Sequence, residues 1–415
     1  MVDRIADAAK ALASGDLAAA EDLGRAALLD GESLTARLTL AQALAWQGRG
    51  RDADAVLSEV DHPTLSESDL VAWALPRAAN QFWMLDEPER ATAFLRAVRG
   101  RMTSEGAATR TIDALLGTFA MNAGSPQRAM QITRDVLADP TADLQAVGWA
   151  AAAAALCSAR MGSFAEVDAL AARAIGAGHP GLLRFTSAFG QTTALVMSGE
   201  LDRAQQLAQQ LVDGAQPSQP GHAIGGLLVA DVLIARGDVA GAVALLEPAA
   251  AALGATGYSW GPLAWMSLAH ALGQLGRVAD AGRMLARAES RHGLKSMLFA
   301  PELALARAWT AAARRDGAGA IEAARESARA AERGGQSAVA LRALIDAVRL
   351  GDTRAADAIE RLEMNCAVGL LGLSYAQAFT AGDAEALDAA AAAFDGIGMR
   401  GVAADAARQA AATRD

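Results

Sequence analysis

Lysine is almost missing: of 37 basic residues only Lys10 and Lys295 are lysines, and no run of basic side chains occurs in the 415 residues. A surface that neutralises phosphates needs clustered cations. With a net charge of −10 and no such cluster, the chain is not expected to bind nucleic acid itself. Strand-favouring Tyr, Ile and Thr are scarce while Ala, Leu and Val dominate, a balance that favours helix almost throughout. Cysteine is limited to Cys157 and Cys366, far apart, without a CxxC, each in an Ala-rich helical stretch. They read as buried small hydrophobes in a reducing compartment.

The start, MVDRIADAAKALASGD, is an amphipathic helix carrying charges throughout, without the apolar core of a secretory signal. The uncharged span from Pro248 to Gly276 is broken by Gly254, Gly257, Gly261 and Pro262, so it reads as a helix end, a loop and a new helix. It is not a membrane crossing, and a cytoplasmic protein is expected.

Catalytic signatures are missing as well. Two segments match GxGxxG, Gly176 to Gly181 and Gly396 to Gly401, but each follows a helical stretch rather than a strand. Both read as helix caps, not pyrophosphate cradles. Neither lysine follows glycine, so there is no Walker A loop. His62, His179, His222, His270 and His292 show no metal-ligand spacing, and no GxSxG elbow occurs. A non-enzymatic chain without cofactor or metal is expected.

What the chain does contain is a period. A glycine-centred turn returns about every 38 residues, at Gly48, Asp86 in place of Gly, Gly124, Gly162, Gly199, Gly237 and Gly276, with Gly15 leading and Asp316, Gly351 and Gly382 trailing. Five positions later a small apolar residue recurs, at Ala20, Ala53, Ala91, Ala129, Val167, Ala204, Ala242, Ala281 and Ala356. Such a period signals stacked supersecondary units rather than one globular core. The clearest unit runs from Pro262 to Ser290: apolar Trp265, Leu268, Ala269 and Leu272, a break at Gly276, then Val278, Ala281, Leu285 and Ala288. It is an antiparallel helix pair.

At Trp265, Leu268, Ala269, Leu272, Gly276, Ala281 and Ala288 the unit resembles the tetratricopeptide (TPR) family, and Leu40, Ala41, Leu44, Gly48 and Ala53 repeat the pattern. That family's unit is about 34 residues, so longer helices or loops must absorb the difference. The resemblance implies an all-α, right-handed superhelical solenoid of about ten helix pairs. One unit is expected over residues 1–415, regular to about residue 300, less regular over 301–415, and ending in a capping helix from Val402 to Ala412. Pro76 is expected to kink or restart its helix.

In the TPR family first helices line the concave face, and alignment to the turns places a distinctive set of side chains there. Five of the seven tryptophans fall in it, including Trp73, Trp83, Trp149 and Trp309, with Phe189 beside them. Asn80, Asn122, Thr193, Asp231 and His270 supply the hydrogen-bonding groups. Trp with isolated polar groups is what a recognition groove contains; the same rings could equally be packing between units.

The segment Pro301 to Gly335, the ending from Ala389 to Ala411 and the Ala/Arg-rich units look like the repeat region of large LuxR-type regulators of the MalT kind. In that family the region lies between an ATPase module and a helix-turn-helix and receives the inducer, a maltooligosaccharide in the type member. The resemblance implies a ligand-sensing domain of a transcriptional regulator, with a small-molecule inducer, a sugar among the candidates. The alternatives are a TPR interaction scaffold for a peptide or partner helix and, third, an α/α-toroid enzyme.

Overall fold

The computed structural model describes residues 2–14, 16–31, 33–103, 105–178, 182–216, 220–254 and 256–414. Gly15, His179 and the end of the first GxGxxG match lie outside them. Among the described residues there are 23 α-helices, which form eleven antiparallel pairs and a final helix. The first five odd helices are α1 (Val2–Ser14), α3 (Leu34–Trp46), α5 (Glu67–Ala79), α7 (Ala107–Asn122) and α9 (Leu144–Met161). They continue as α11 (Leu183–Met197), α13 (Pro220–Arg236), α15 (Trp260–Gln274), α17 (Ala300–Ala313), α19 (Ser337–Arg349) and α21 (Ala367–Ala381). The even helices return between them, from α2 (Leu17–Leu29) to α22 (Ala384–Gly396), and α23 (Arg400–Arg414) closes the chain. The fold is an all-helical repeat superhelix.

The turn that ends each odd helix explains the period. Gly48, Gly124, Gly162, Gly199, Gly237, Gly276, Gly351 and Gly382 all have left-handed φ, between 62° and 103°. Asp86 takes the same role at φ 59°, as a short polar side chain can. In the unit after Gly276 the left-handed residue is Arg315, not Asp316. Asp316 instead accepts from the Gly319 amide and caps α18 (Gly317–Arg333), a position that needs its carboxylate.

Ala20, Ala53, Ala91, Ala129, Ala204, Ala242 and Ala281 are fully buried, and Val167 nearly so. Their size lets the two helices of a pair approach closely. Late in the chain the register slips: Ala355 is 2 % exposed, while Ala356 is half-buried. The helix does not restart at Pro76. Helix α5 runs through it to Ala79 and widens into a π turn, Asn80–Met84. Trp73, Ala74, Leu75 and Ala78 are buried around the proline.

Units of a solenoid ordinarily touch only their neighbours. Here α9 also packs on α19, α11 on α21 and α13 on α23, each helix meeting the one ten places on. One superhelical turn therefore takes five helix pairs, and successive turns touch. The accessible surface, 16826 Å², lies near the roughly 15,000 Å² expected of a compact monomer of this size. The final helix buries Val402, Ala403, Ala406 and Ala410, so it joins this seam as well as ending the stack.

At the seam the turn glycines have a second duty. A methyl group on Gly237 would lie 2.4 Å from the Gly401 nitrogen, whereas one on Gly276 would meet nothing within 4 Å. Both positions carry positive φ. Gly276→Ala should therefore lose about 1–2 kcal/mol from backbone strain alone, and Gly237→Ala clearly more. Urea unfolding of both variants tests this; equal losses would mean that the two turns do not touch at Gly237.

Candidate ligand-binding site

The inner helices α11, α13, α15, α17 and α19, with Ser327 from α18, line a partly open axial cavity of about 50 Å³. Such a space holds a few waters or one side chain, since one water needs about 10–15 Å³ by this measure. Much of its wall is carbon: Phe189 from α11, Leu227, Leu228 and Ile234 from α13, Leu263 and Met266 from α15, and Leu305 from α17. Asp231, Ser267, His270, Glu302, Ser327 and Arg342 complete it.

The polar groups are matched within the chain. Arg342 donates to both oxygens of Asp231, at 2.9 and 3.3 Å. Glu302 pairs at 2.8 Å with Arg160, whose side chain is 2 % exposed. Arg160 Nη2 also donates to Leu298 O at 2.9 Å, and its Nε to Gln336 Oε1 at 2.5 Å. Ser327 Oγ donates to Pro301 O at 2.7 Å.

His270 stacks on Trp309 with ring centroids 5.9 Å apart, and the Gln274 amide lies 2.6 Å from its Nε2. Burial pushes its pKa down to about 4; Asp346 opposes the shift and Arg349 adds to it. The ring is therefore neutral at neutral pH. Trp309 Nε1 donates to Asp346 at 3.3 Å, and the Arg349 guanidinium lies 4.7 Å above the indole.

Of the ten expected contact residues, Phe189, Asp231 and His270 line this cavity, and Trp309 backs His270. The others lie elsewhere. Trp73 is 1 % exposed, donates to Leu57 O at 2.8 Å and packs edge-on to Phe94. Asn80 is buried with its amide on Gly50 O at 2.8 Å, and Asn122 donates to Thr118 O on its own helix at 2.9 Å. Trp83 meets Phe119 edge-on at 5.3 Å and Tyr258 at 6.4 Å, and its carbonyl accepts from Lys295 at 2.9 Å. Trp149 bridges the apolar cluster around α5 and α7 to the one formed by Ala114, Val136, Ala146 and Ala150. Thr193 is buried in α11, 4 % exposed.

Arg342 and Glu302 were not expected, because both lie beyond residue 300 where the spacing of the turns loosens. A signal was nevertheless present. Arg342, Asp346 and Arg349 recur at helical spacing inside SAVALRALIDAVR, flanked by fully apolar positions. A charged stripe in so apolar a helix points to a buried network rather than to solvent. Cys157 is buried in the core with its thiol pushed up to about 12 by burial, an inert side chain.

No family model and no curated protein sequence matches the chain. Solved structures do. A Rap protein complexed with Competence and Sporulation Factor is 14 % identical, covering 84 % of this chain and 98 % of its own, with a TM-score of 0.57. A tetratricopeptide repeat protein from Parabacteroides merdae ATCC 43184 is 15 % identical over 60 % of this chain and 91 % of its own, at a TM-score of 0.39. The human IFIT1 dimer with PPP-AAAA is 15 % identical over 92 % of this chain and 90 % of its own, at 0.40. The likeness to Rap carries the conclusion that this is a TPR-like helical repeat fold. It lends nothing to the resemblance to LuxR-type regulators. Among the described residues no helix is long and apolar enough to cross a membrane.

The buried ring gives a pH dependence. Folded His270 titrates near about 4, against 6.5 for a free histidine. Between these values the unfolded chain binds the extra proton, so this group's contribution to stability is complete above pH 6.5 and falls as pH drops toward 4. Thermal melts of the wild type and His270→Gln across that window should show a shallower slope in the variant. Parallel slopes would mean that the ring is not buried in its neutral form.

Proposed function

We propose that the chain is a non-enzymatic TPR-like interaction scaffold that binds a peptide or a segment of a partner protein at the axial cavity. Phe189, Asp231 and His270 are the contacts retained from the sequence reading, joined by Met266, Glu302 and Arg342. The observation that carries this reading is the cavity itself, a concave site with a largely carbon wall and a few placed polar groups where the inner helices converge. Sites of this kind, concave and mostly apolar with a few placed polar groups, are where repeat and bundle folds take ligands. A fold like this one holds Competence and Sporulation Factor in Rap.

A whole helix, about 10 Å across, exceeds this cavity. The partner's main chain would lie at the mouth with a side chain inserted. The sugar-sensor reading has less behind it. A polyhydroxylated ligand needs free directional donors and acceptors, whereas Asn122, Asp231 and His270 are each already bonded within the chain.

Selection of a displayed random peptide library against the intact chain tests the proposal. Peptides that bind should compete with one another and lose binding to Ser267→Phe, which fills the cavity. Selected peptides that bind Ser267→Phe equally well would move the site elsewhere. Saturable calorimetric binding of maltotriose, abolished by Ser267→Phe, would restore the sensor reading.

A further inference from the structure

The chemistry of the cavity wall narrows the occupant, an inference that rests on the scaffold reading above. Its charged side chains are all matched within the chain. Asp231 is held by Arg342 through two hydrogen bonds, and Glu302 by Arg160. The partners are fixed in turn: Arg160 is wedged between Leu298 O, Gln336 and the face of Phe299, 5.3 Å away. Neither pair has a partner missing.

A charged occupant would bring a charge with no counter-ion and strip it of water, which is costly in a site walled largely by carbon. A polyol would find its hydrogen-bonding partners already taken. What stays unmatched is carbon surface: Leu227, Leu228, Ile234, Leu263, Met266 and Leu305 face a space about the size of one side chain.

We infer that the axial cavity is the seat of one neutral aliphatic side chain, leucine, isoleucine or methionine, at the anchor position of a partner peptide. The flanking residues of that peptide contribute complementarity, and the anchor contributes most of the binding energy. Burying one such side chain is worth about 10- to 100-fold in affinity. The two ion pairs close the polar side of the cavity and reject acidic or basic anchors, because either would leave a charge without a partner.

Two small probes test the cavity without any peptide. With the methionine methyl groups labelled for NMR, N-acetyl-leucinamide and dissolved xenon should shift the Met266 signal saturably. N-acetyl-argininamide and N-acetyl-aspartamide should not, and Ser267→Phe should abolish the response. Should Ser267→Phe fail to fold, Leu305→Trp fills the same space.

A Met266 signal that ignores leucinamide and xenon, or that responds equally to argininamide, overturns the inference. The display-selected peptides separate this failure from that of the scaffold reading. Replacing the anchor leucine with aspartate or arginine should weaken binding about 10-fold or more. Peptides that need the open cavity yet tolerate that change leave the scaffold standing and end the aliphatic-anchor claim. Probes that enter the cavity while no peptide binds leave the anchor chemistry standing and end the scaffold.

Discussion

The guanidinium of Arg160 is the tie on which the rest of the structure depends. It is buried in α9, and its acceptors, Leu298, Glu302 and Gln336, lie 138 to 176 residues further along the chain. No neighbouring repeat supplies them. Removing such a guanidinium would strand a half-buried carboxylate and a buried amide, which is why a buried pair is easier to keep than to break. Together with the Gly237–Gly401 approach and the packing of α11 on α21, it turns an open spring into a wound body whose turns rest on one another.

Winding of this tightness decides what the inner face can do. In an open superhelix the odd helices would line a groove wide enough for a partner helix. With five pairs per turn they converge, and the cavity among α11, α13, α15, α17 and α19 is about the size of a side chain. The same convergence makes neighbours of α9, α13, α15, α17 and α19, so charges scattered across the sequence form a matched network. Asp231 with Arg342, Asp346 with Arg349 and Arg349 with Asp405 all belong to it. Recognition, where the scaffold offers it, is limited to what can enter without breaking those pairs.

Much of the fold was legible in the residues. The turn glycines and the alanines five positions later mark every unit as far as Ala281, because left-handed φ and close helix crossing each demand a particular residue. The inner wall was harder to read. Trp73 and Trp149 occupy the spacing of a groove and equally that of a core, and only the rotation between successive pairs separates the two. That rotation is a sum of small angles spread over five units, and no single residue encodes it. Arg315 in place of Asp316, and Ala355 in place of Ala356, show where register was lost, and the helices around them carry Glu302 and Arg342. Five of the fourteen residues that line the cavity thus come from the stretch whose periodicity was weakest.

Small-angle X-ray scattering of the intact chain measures the winding most directly. Turns in contact predict a radius of gyration near the about 22 Å of a compact chain of 415 residues, with a distance distribution close to symmetric. A radius several ångströms larger, with the long tail of an extended coil, would contradict the account, because separated turns would leave Arg160 without its partners and the axis open.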